Sequence, residues 1–321
     1  MLDVYLMGAF REQIAKEVRK ELMNPEFDSR RSKNGGRIFW VKAASATGFG
    51  QFVAEHPAYD DNVAAVHTTM SSAAAAVRAD TGDEVRVTAG HTEEFEKVFS
   101  LSTSGVRWVG EGYGTKVPVI TISGAIHGVA LAAAGVEFEN FRFAAPPIDG
   151  PLSMIKLRAA GCRVKDIVGV ASGAANNFID CIVVGAAADD NVVENVRFWT
   201  DVTPITGFLH FTDPISRFAA SGFYATGSVA TAGIYDESTA RIKDADFSNI
   251  NVAVRGSAKP AATIDAAGSS GQVRNSFFAG THTTLANNGS FGTQFKLNQV
   301  YLLEDTVNAA QGALIPAVDT D

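Results

Sequence analysis

One short phrase returns along this chain at intervals of 23 to 31 residues. Its clearest copy is Val193-Glu-Asn195-Val196-Arg-Phe198. Each clear copy before the last has a hydrophobic residue two places before an Asn or Asp and another within three places after it, and in the last copy Leu297 directly precedes Asn298. The anchoring residues are Asn140, Asp166, Asn195, Asp244, Asn275 and Asn298, with a degenerate copy near Ser221. A unit that recurs at this interval predicts a solenoid, in which each repeat packs mainly against its neighbours.

Apolar and polar residues alternate inside each copy, which is the period of a β-strand. The segments between copies are rich in Gly, Ala, Ser, Asn and Asp, and the Gly, Ser, Asn and Asp among them predict tight turns. A unit of this length holds two or three short strands but no crossover helix. We therefore predict an all-β, single-stranded parallel β-helix with one coil per repeat. The repeated Asn and Asp residues would form a ladder at one turn. An array of unrelated hairpins is the alternative.

The first 36 residues predict an anchoring arm. Hydrophobic residues recur every four positions among charged ones, as in an amphipathic helix, and a basic linker follows. Residues 1–42 carry a net charge of +3, whereas the remaining 279 residues carry −11. This asymmetry favours docking on an acidic protein surface, although a solvated helix without a partner fits the charge equally well. The predicted docking residues are Phe10, Ile14, Val18, Leu22, Arg30, Arg31 and Lys33.

The rest of the chain divides into a cap, coils and a tail. We assign residues 37–100 to the amino-terminal cap, 101–303 to the coils and 304–321 to the tail. An Ala-rich helix is predicted from Val63 to about Ala79. The first coil of a solenoid leaves an open strand edge, so this helix is interpreted as its cover.

Composition excludes several classes of partner and compartment. No apolar run reaches the roughly 18 residues that cross a bilayer, so no membrane partner is expected. The start of the chain lacks the basic flank of a secretion signal, which favours synthesis in a cytoplasm. The acidic body makes nucleic acid a poor partner. Cys162 and Cys181 lack metal-binding or CxxC spacing and are interpreted as small buried hydrophobes.

A search for catalytic chemistry assigns no catalytic, cofactor or metal residue. The six histidines show no paired spacing, and His91-Thr-Glu93 is interpreted as a turn bonded to the backbone. A glycan hydrolase needs two carboxylates in one groove, but nothing in the sequence ranks the candidates. Those candidates are Asp166, Asp180, Asp189, Asp190, Glu194, Asp201, Asp213, Asp236, Glu237, Asp244 and Asp246. The aromatic candidates for sugar stacking, interpreted here as core, are Trp199, Phe208, Phe211 and Tyr224.

Four passages resemble tailed-bacteriophage proteins with right-handed parallel β-helix repeats, a group related in fold to the pectate lyases. They are Ile38–Val41, the Ala-rich helix leading into Gly82–Glu93, the repeated coils, and the closing passage 312–317. The resemblance implies a right-handed solenoid and a virion protein, often trimeric, displayed on the particle. The Arg-x-Pro-x-x-Arg run of the lyases is absent from this sequence.

Three functions follow from these expectations. The first is a non-enzymatic virion protein, a homotrimer on the capsid surface of the decoration or cement type. Its arm would bind the major capsid protein or another virion protein. The second is a tailspike-like receptor-binding protein or depolymerase that acts on a host surface glycan. The third is a non-viral adhesin or other interaction protein.

Overall fold

The computed structural model describes residues 32, 35–147, 150–171, 178–200, 204–255, 259–264, 266–280, 289–291, 295–304 and 314–316. The predicted arm lies almost entirely outside these residues. All seven of its predicted docking residues are outside them: Phe10, Ile14, Val18, Leu22, Arg30, Arg31 and Lys33.

The alternating pattern forms short strands along the whole described chain. The strands are β1 (Ile38–Val41), β2 (Val66–His67), β3 (Glu84–Val87), β4 (Thr92–Phe95), β5 (Phe99–Leu101), β6 (Arg107–Gly110), β7 (Val119–Ile122), β8 (His127–Leu131), β9 (Glu137–Phe143), β10 (Ser153–Leu157), β11 (Arg163–Ala171), β12 (Asp180–Val184), β13 (Val192–Thr200), β14 (Gly207–Phe211), β15 (Ile215–Ser216), β16 (Ala219–Ser221), β17 (Tyr224–Gly227), β18 (Ile234–Asp236), β19 (Ile242–Lys243), β20 (Ala245–Ser248), β21 (Asn251–Val254), β22 (Ala262–Thr263), β23 (Gly271–Gly280), β24 (Gly289–Ser290), β25 (Phe295–Glu304) and β26 (Leu314–Pro316). The helices are α1 (Phe49–Glu55), α2 (Met70–Ala74) and a 3-10 turn (Gly114–Lys116).

The strands stack in parallel, one coil above the next. They form a sixteen-stranded sheet, an eight-stranded sheet and the small pair β15–β19. Each register step advances by one repeat, so Lys165 pairs with Glu139 on one side and with Glu194 on the other. Only β26, which closes against β25, is antiparallel among the described pairings. The chain is a parallel β-solenoid of about nine turns, and the predicted all-β solenoid is confirmed.

Each central coil has three faces, because the long strands bend once in the middle. The first half of a long strand lies on the charged face, where Arg107, Glu139, Lys165 and Glu194 point outward. The second half lies on what we call the aromatic face, and β5, β8, β10, β12, β14, β18, β22 and β24 form the eight-stranded face. From β9 to β25 the described outward positions of the aromatic face are Arg142, Val168, Val170, Arg197, Trp199, Tyr224, Thr226, Asn251, Ala253, Phe277, Ala279 and Tyr301. Beyond β9 the face continues through β7 to β4, with Val119, Thr121, Thr92 and Glu94 at its outward positions.

The inward positions form one continuous core along the solenoid axis. It runs from Phe39 in the first coil to Val300 in the last. Phenylalanine fills much of it, and the rings of Phe138 and Phe141 stack with centroids 4.2 Å apart. Close packing of this kind makes each coil depend on its neighbours for burial of its apolar side chains.

The amino-terminal cap differs from its prediction. The Ala-rich segment forms a helix only over Met70–Ala74, because Val66–His67 instead pairs with β1 as a strand. The Thr69 hydroxyl caps the helix by accepting the backbone N–H of Ser72 at 3.1 Å. Met70 and Ala73 are buried against the first coil, so the short helix still contributes to its cover.

Candidate functional site

A left-handed residue marks the bend in each central coil, and together these residues form the first corner. The strand registers align seven of them: Asn140, Asp166, Asn195, Gly222, Asn249, Asn275 and Gln299. Their φ angles lie between 49° and 63°. Gly, Asn and Asp adopt this conformation at the lowest cost. The Asn195 amide donates to the Asp166 carboxylate in the preceding coil, and the Asn140 amide donates to the Gly110 carbonyl at 2.6 Å.

Two residues of the predicted ladder do not belong to it. Asp244 lies at a second corner, where it follows Asp190 and Arg217 at φ angles of 53° to 57°. Asn298 pairs with Arg274, one residue before the corner residue Gln299. The prediction failed because both corners place a polar left-handed residue between apolar ones.

A groove of about 810 Å³ runs along the first corner. The 3-10 turn and the residues before it form one wall, and the corner residues Asn140, Asp166 and Asn195 form the other. Carboxylates of Glu111 and Glu139 line it, and Tyr113 beside them is 93% exposed. A groove with carboxylates, amides and an exposed aromatic ring has the groups that bind sugar hydroxyls and sugar faces.

The two glutamates of this groove have opposite electrostatic environments. Burial raises the pKa of Glu111, and this effect outweighs the nearby Arg86 guanidinium. Burial also disfavours ionised Glu139, but its bonds to Arg107 (2.6 Å) and Lys165 (3.3 Å) lower the pKa overall. One carboxyl therefore holds its proton to higher pH while the other stays ionised, as in an acid and base pair.

The aromatic face carries side chains that the sequence interpretation assigned to the core. Trp199 is 38% exposed and Tyr224 is 48% exposed, so that interpretation was wrong for both. It was correct for Phe208 and Phe211, which are fully buried. The difference is strand parity, since Phe198 points inward and its neighbour Trp199 must point outward.

Sequence reasoning missed a polar cluster on the eight-stranded face. The Asp180 carboxylate accepts from the Tyr235 hydroxyl at 3.1 Å and contacts His210 Nδ1 at 3.0 Å. Two coils earlier, His127 lies between Lys156 Nζ (3.1 Å) and Ser153 Oγ (2.8 Å). No local sequence motif indicates this cluster, because its residues lie one or more coils apart.

Electrostatics in this cluster keep two of its groups neutral. Burial and the Lys156 ammonium lower the pKa of His127 to about 4. Burial and the Asp180 charge raise the pKa of Tyr235. Lys156 can then donate to His127 Nε2, which leaves Nδ1–H to donate to Ser153. Most polar groups of the cluster bond to one another, and His210 Nε2 lies 3.4 Å from Glu237 without a hydrogen bond. The arrangement is best explained as a structural network.

The other candidate carboxylates mostly pair locally. Asp190, Glu194 and Asp246 form ion pairs with Arg217, Arg163 and Arg274. Asp189, Asp213 and Asp236 accept hydrogen bonds from Ser216, Thr212 and the Ala266 N–H, respectively. Glu237 lies 3.4 Å from His210. Asp201 is outside the described residues.

His91 and Glu93 form a structural contact at the start of helix α2. The Glu93 carboxylate accepts the Met70 N–H at 2.8 Å and contacts His91 Nε2 at 3.0 Å. It thereby satisfies a free N–H at the first turn of the helix. Cys162 and Cys181 are buried free thiols, and burial raises the pKa of each.

Within the described part of the chain, no group of three or more His, Cys, Asp or Glu residues could hold a metal ion. None of the helices described there has the length and apolar character needed to span a bilayer. Comparisons with protein-family models, curated proteins and solved structures found no match.

Proposed function

We propose that this chain is a non-enzymatic structural protein of a tailed-bacteriophage virion. In this proposal three copies form a trimer of right-handed β-helices on the capsid surface, as a decoration or cement protein. Residues 1–36 anchor each copy to the major capsid protein or to another virion protein. The protein is made in the host cytoplasm and resides in the particle.

The observation that carries this proposal is the aromatic face of the solenoid. Although the chain has a net charge of −8, the described outward positions of this face from Arg142 to Tyr301 include no Asp or Glu. Exposed rings there are typical of a surface that another protein covers. The solenoid supports the proposal as well, because hydrogen bonds along the stack make a stiff body suited to display on a particle. The sequence resemblance supplies the virion context.

The anchoring arm can be tested by particle incorporation. Deletion of residues 1–33 should abolish incorporation and leave a folded, β-rich body, measured by mass spectrometry of purified particles and by circular dichroism. Two full-length variants separate the contributions within the arm. One replaces Phe10, Ile14, Val18 and Leu22 with Ser, and the other replaces Arg30, Arg31 and Lys33 with Gln. Undiminished incorporation of the deletion variant would contradict the arm's role.

The corner groove favours a second candidate, a glycan-binding protein or polysaccharide depolymerase. Glu111 would act as the acid and Glu139 as the ionised partner, with Tyr113 available to stack on a sugar ring. The assay is release of reducing ends from host surface polysaccharide. Glu111→Gln should remove such activity, whereas Glu194→Gln, which changes a carboxylate outside the groove, should not. Activity with this dependence would replace the structural proposal, and an inactive wild-type protein would support it.

A further inference from the structure

The outward side chains of the aromatic face form two rows that run along the solenoid. In one row Val168, Arg197, Tyr224, Asn251, Phe277 and Tyr301 are stacked in register, one per coil. The second row contains Trp199, which is 38% exposed. Seven strands spaced about 4.8 Å apart give the face a length of about 29 Å. The face is therefore long and narrow, with its exposed rings spread along its length.

Charge separates this face from the rest of the surface. From β9 to β25 the described outward positions of the aromatic face include Arg142 and Arg197 and no carboxylate. On the described strands the same face reaches a carboxylate only at Glu94 of β4, two strands beyond β9. The neighbouring charged face carries Glu137, Glu139 and Glu194. Two acidic copies of this chain repel one another wherever such carboxylates meet. They can approach closely along the part of the aromatic face from β9 to β25, whose described outward positions lack carboxylates.

The shape of the face also indicates the occupant. Small ligands and sugars bind in concave sites, and the groove of this molecule lies at the first corner. A sheet face whose outward side chains repeat at the strand spacing instead matches a surface with the same length and the same repeat. An identical solenoid provides such a surface at the same coil spacing.

We propose that copies of this chain associate side by side through the aromatic face, with Trp199, Tyr224 and Tyr301 at the contact. This inference rests on the homotrimer of the proposed function and identifies its interface. Buried Trp and Tyr residues dominate the affinity of many interfaces. Trp199→Glu or Tyr224→Glu should therefore weaken self-association by about thirty-fold or more, the equivalent of one strong interface residue.

The first experiment uses the wild-type full-length protein. N-acetylimidazole modifies accessible tyrosines, and mass spectrometry reports the modified fraction of each one. Tyr224 and Tyr301 should become protected as the protein concentration rises through the association range. Tyr113, 93% exposed at the corner groove, is the internal control and should stay reactive. If Tyr224 stays reactive at every concentration, or is protected only when oligosaccharide is added, the inference is wrong.

The second experiment measures oligomeric state by sedimentation velocity. Trp199→Glu and Tyr224→Glu should sediment as monomers at concentrations where the wild type is associated. Ser221→Glu is the matched control, because it adds the same charge in the same coil on the charged face. Equal association of all three variants would overturn the inference. If either variant fails to fold, the tyrosine labelling of the wild-type protein tests the interface on its own. Incorporation into particles with Tyr224 still reactive would refute this interface while leaving the proposed function intact.

Discussion

Replacement of Asn140 measures what the first corner contributes to stability. Asn140 has a φ of 63°, and its amide donates to the carbonyl oxygens of Gly110 (2.6 Å) and Gly112 (3.2 Å). Asn140→Gly keeps the left-handed conformation accessible but removes both hydrogen bonds. At about 1 kcal/mol for each bond, it should lower the free energy of unfolding by about 2 kcal/mol. Asn140→Ala also places a β-carbon in the left-handed region, which costs at least about 1 kcal/mol more.

The assay is equilibrium unfolding in urea, followed by circular dichroism. The expected order of stability is wild type, then Asn140→Gly, then Asn140→Ala. Asn298→Ala is the control, because Asn298 lies on the strand beside Arg274 and outside the corner. Its effect should stay within about 0.5 kcal/mol. Equal stability of the Gly and Ala variants would refute the conformational argument. A loss at Asn298 as large as that at Asn140 would refute the register.

Three further predictions concern stability and the buried groups. Gln299→Asn should raise the free energy of unfolding by about 0.5 kcal/mol, measured in urea, because Asn adopts the left-handed region more readily. Burial opposes ionised Asp83, but hydrogen bonds led by the Arg37 N–H lower its pKa below the ordinary value. Its stabilisation should therefore be lost as pH falls below about 4, and Asp83→Asn should weaken this acid dependence in pH-dependent melts. The thiols of Cys162 and Cys181 should resist Ellman's reagent in the folded protein and react in urea, read by absorbance.

The repeat made the fold predictable, but the phrase alone could not assign every register. Asn140, Asp166, Asn195 and Asn275 lie at one corner of the coil. The copy around Asp244 was misaligned by five residues, because the corner residue of that coil is Asn249. Both corners require the same backbone conformation and attract the same polar residues. Only the pairing of neighbouring strands distinguishes them.

The cap and the eight-stranded face show a different limit of sequence reasoning. Alanine favours a helix intrinsically, and this preference suggested a helix from Val63 to about Ala79. Pairing of Val66 with Trp40 overrides it in the first part of that segment. The contact between Asp180 and Tyr235 joins residues 55 positions apart. The number of residues in each coil determines which side chains of different coils lie together. Because turn lengths vary along this chain, the sequence alone does not predict these contacts.

The outward positions of the solenoid separate structural surfaces from binding surfaces. On the charged face Arg107 contacts Glu84 and Glu139, so these charges satisfy one another from coil to coil. On the eight-stranded face Asp180 and its neighbours do the same through hydrogen bonds. The exposed rings on the described part of the aromatic face are stabilised neither by ion pairs nor by side-chain hydrogen bonds between coils. Their apolar area is removed from water only when another surface covers it. Binding is therefore expected on the aromatic face, where exposed apolar area would be removed from water by a partner, and in the adjoining groove.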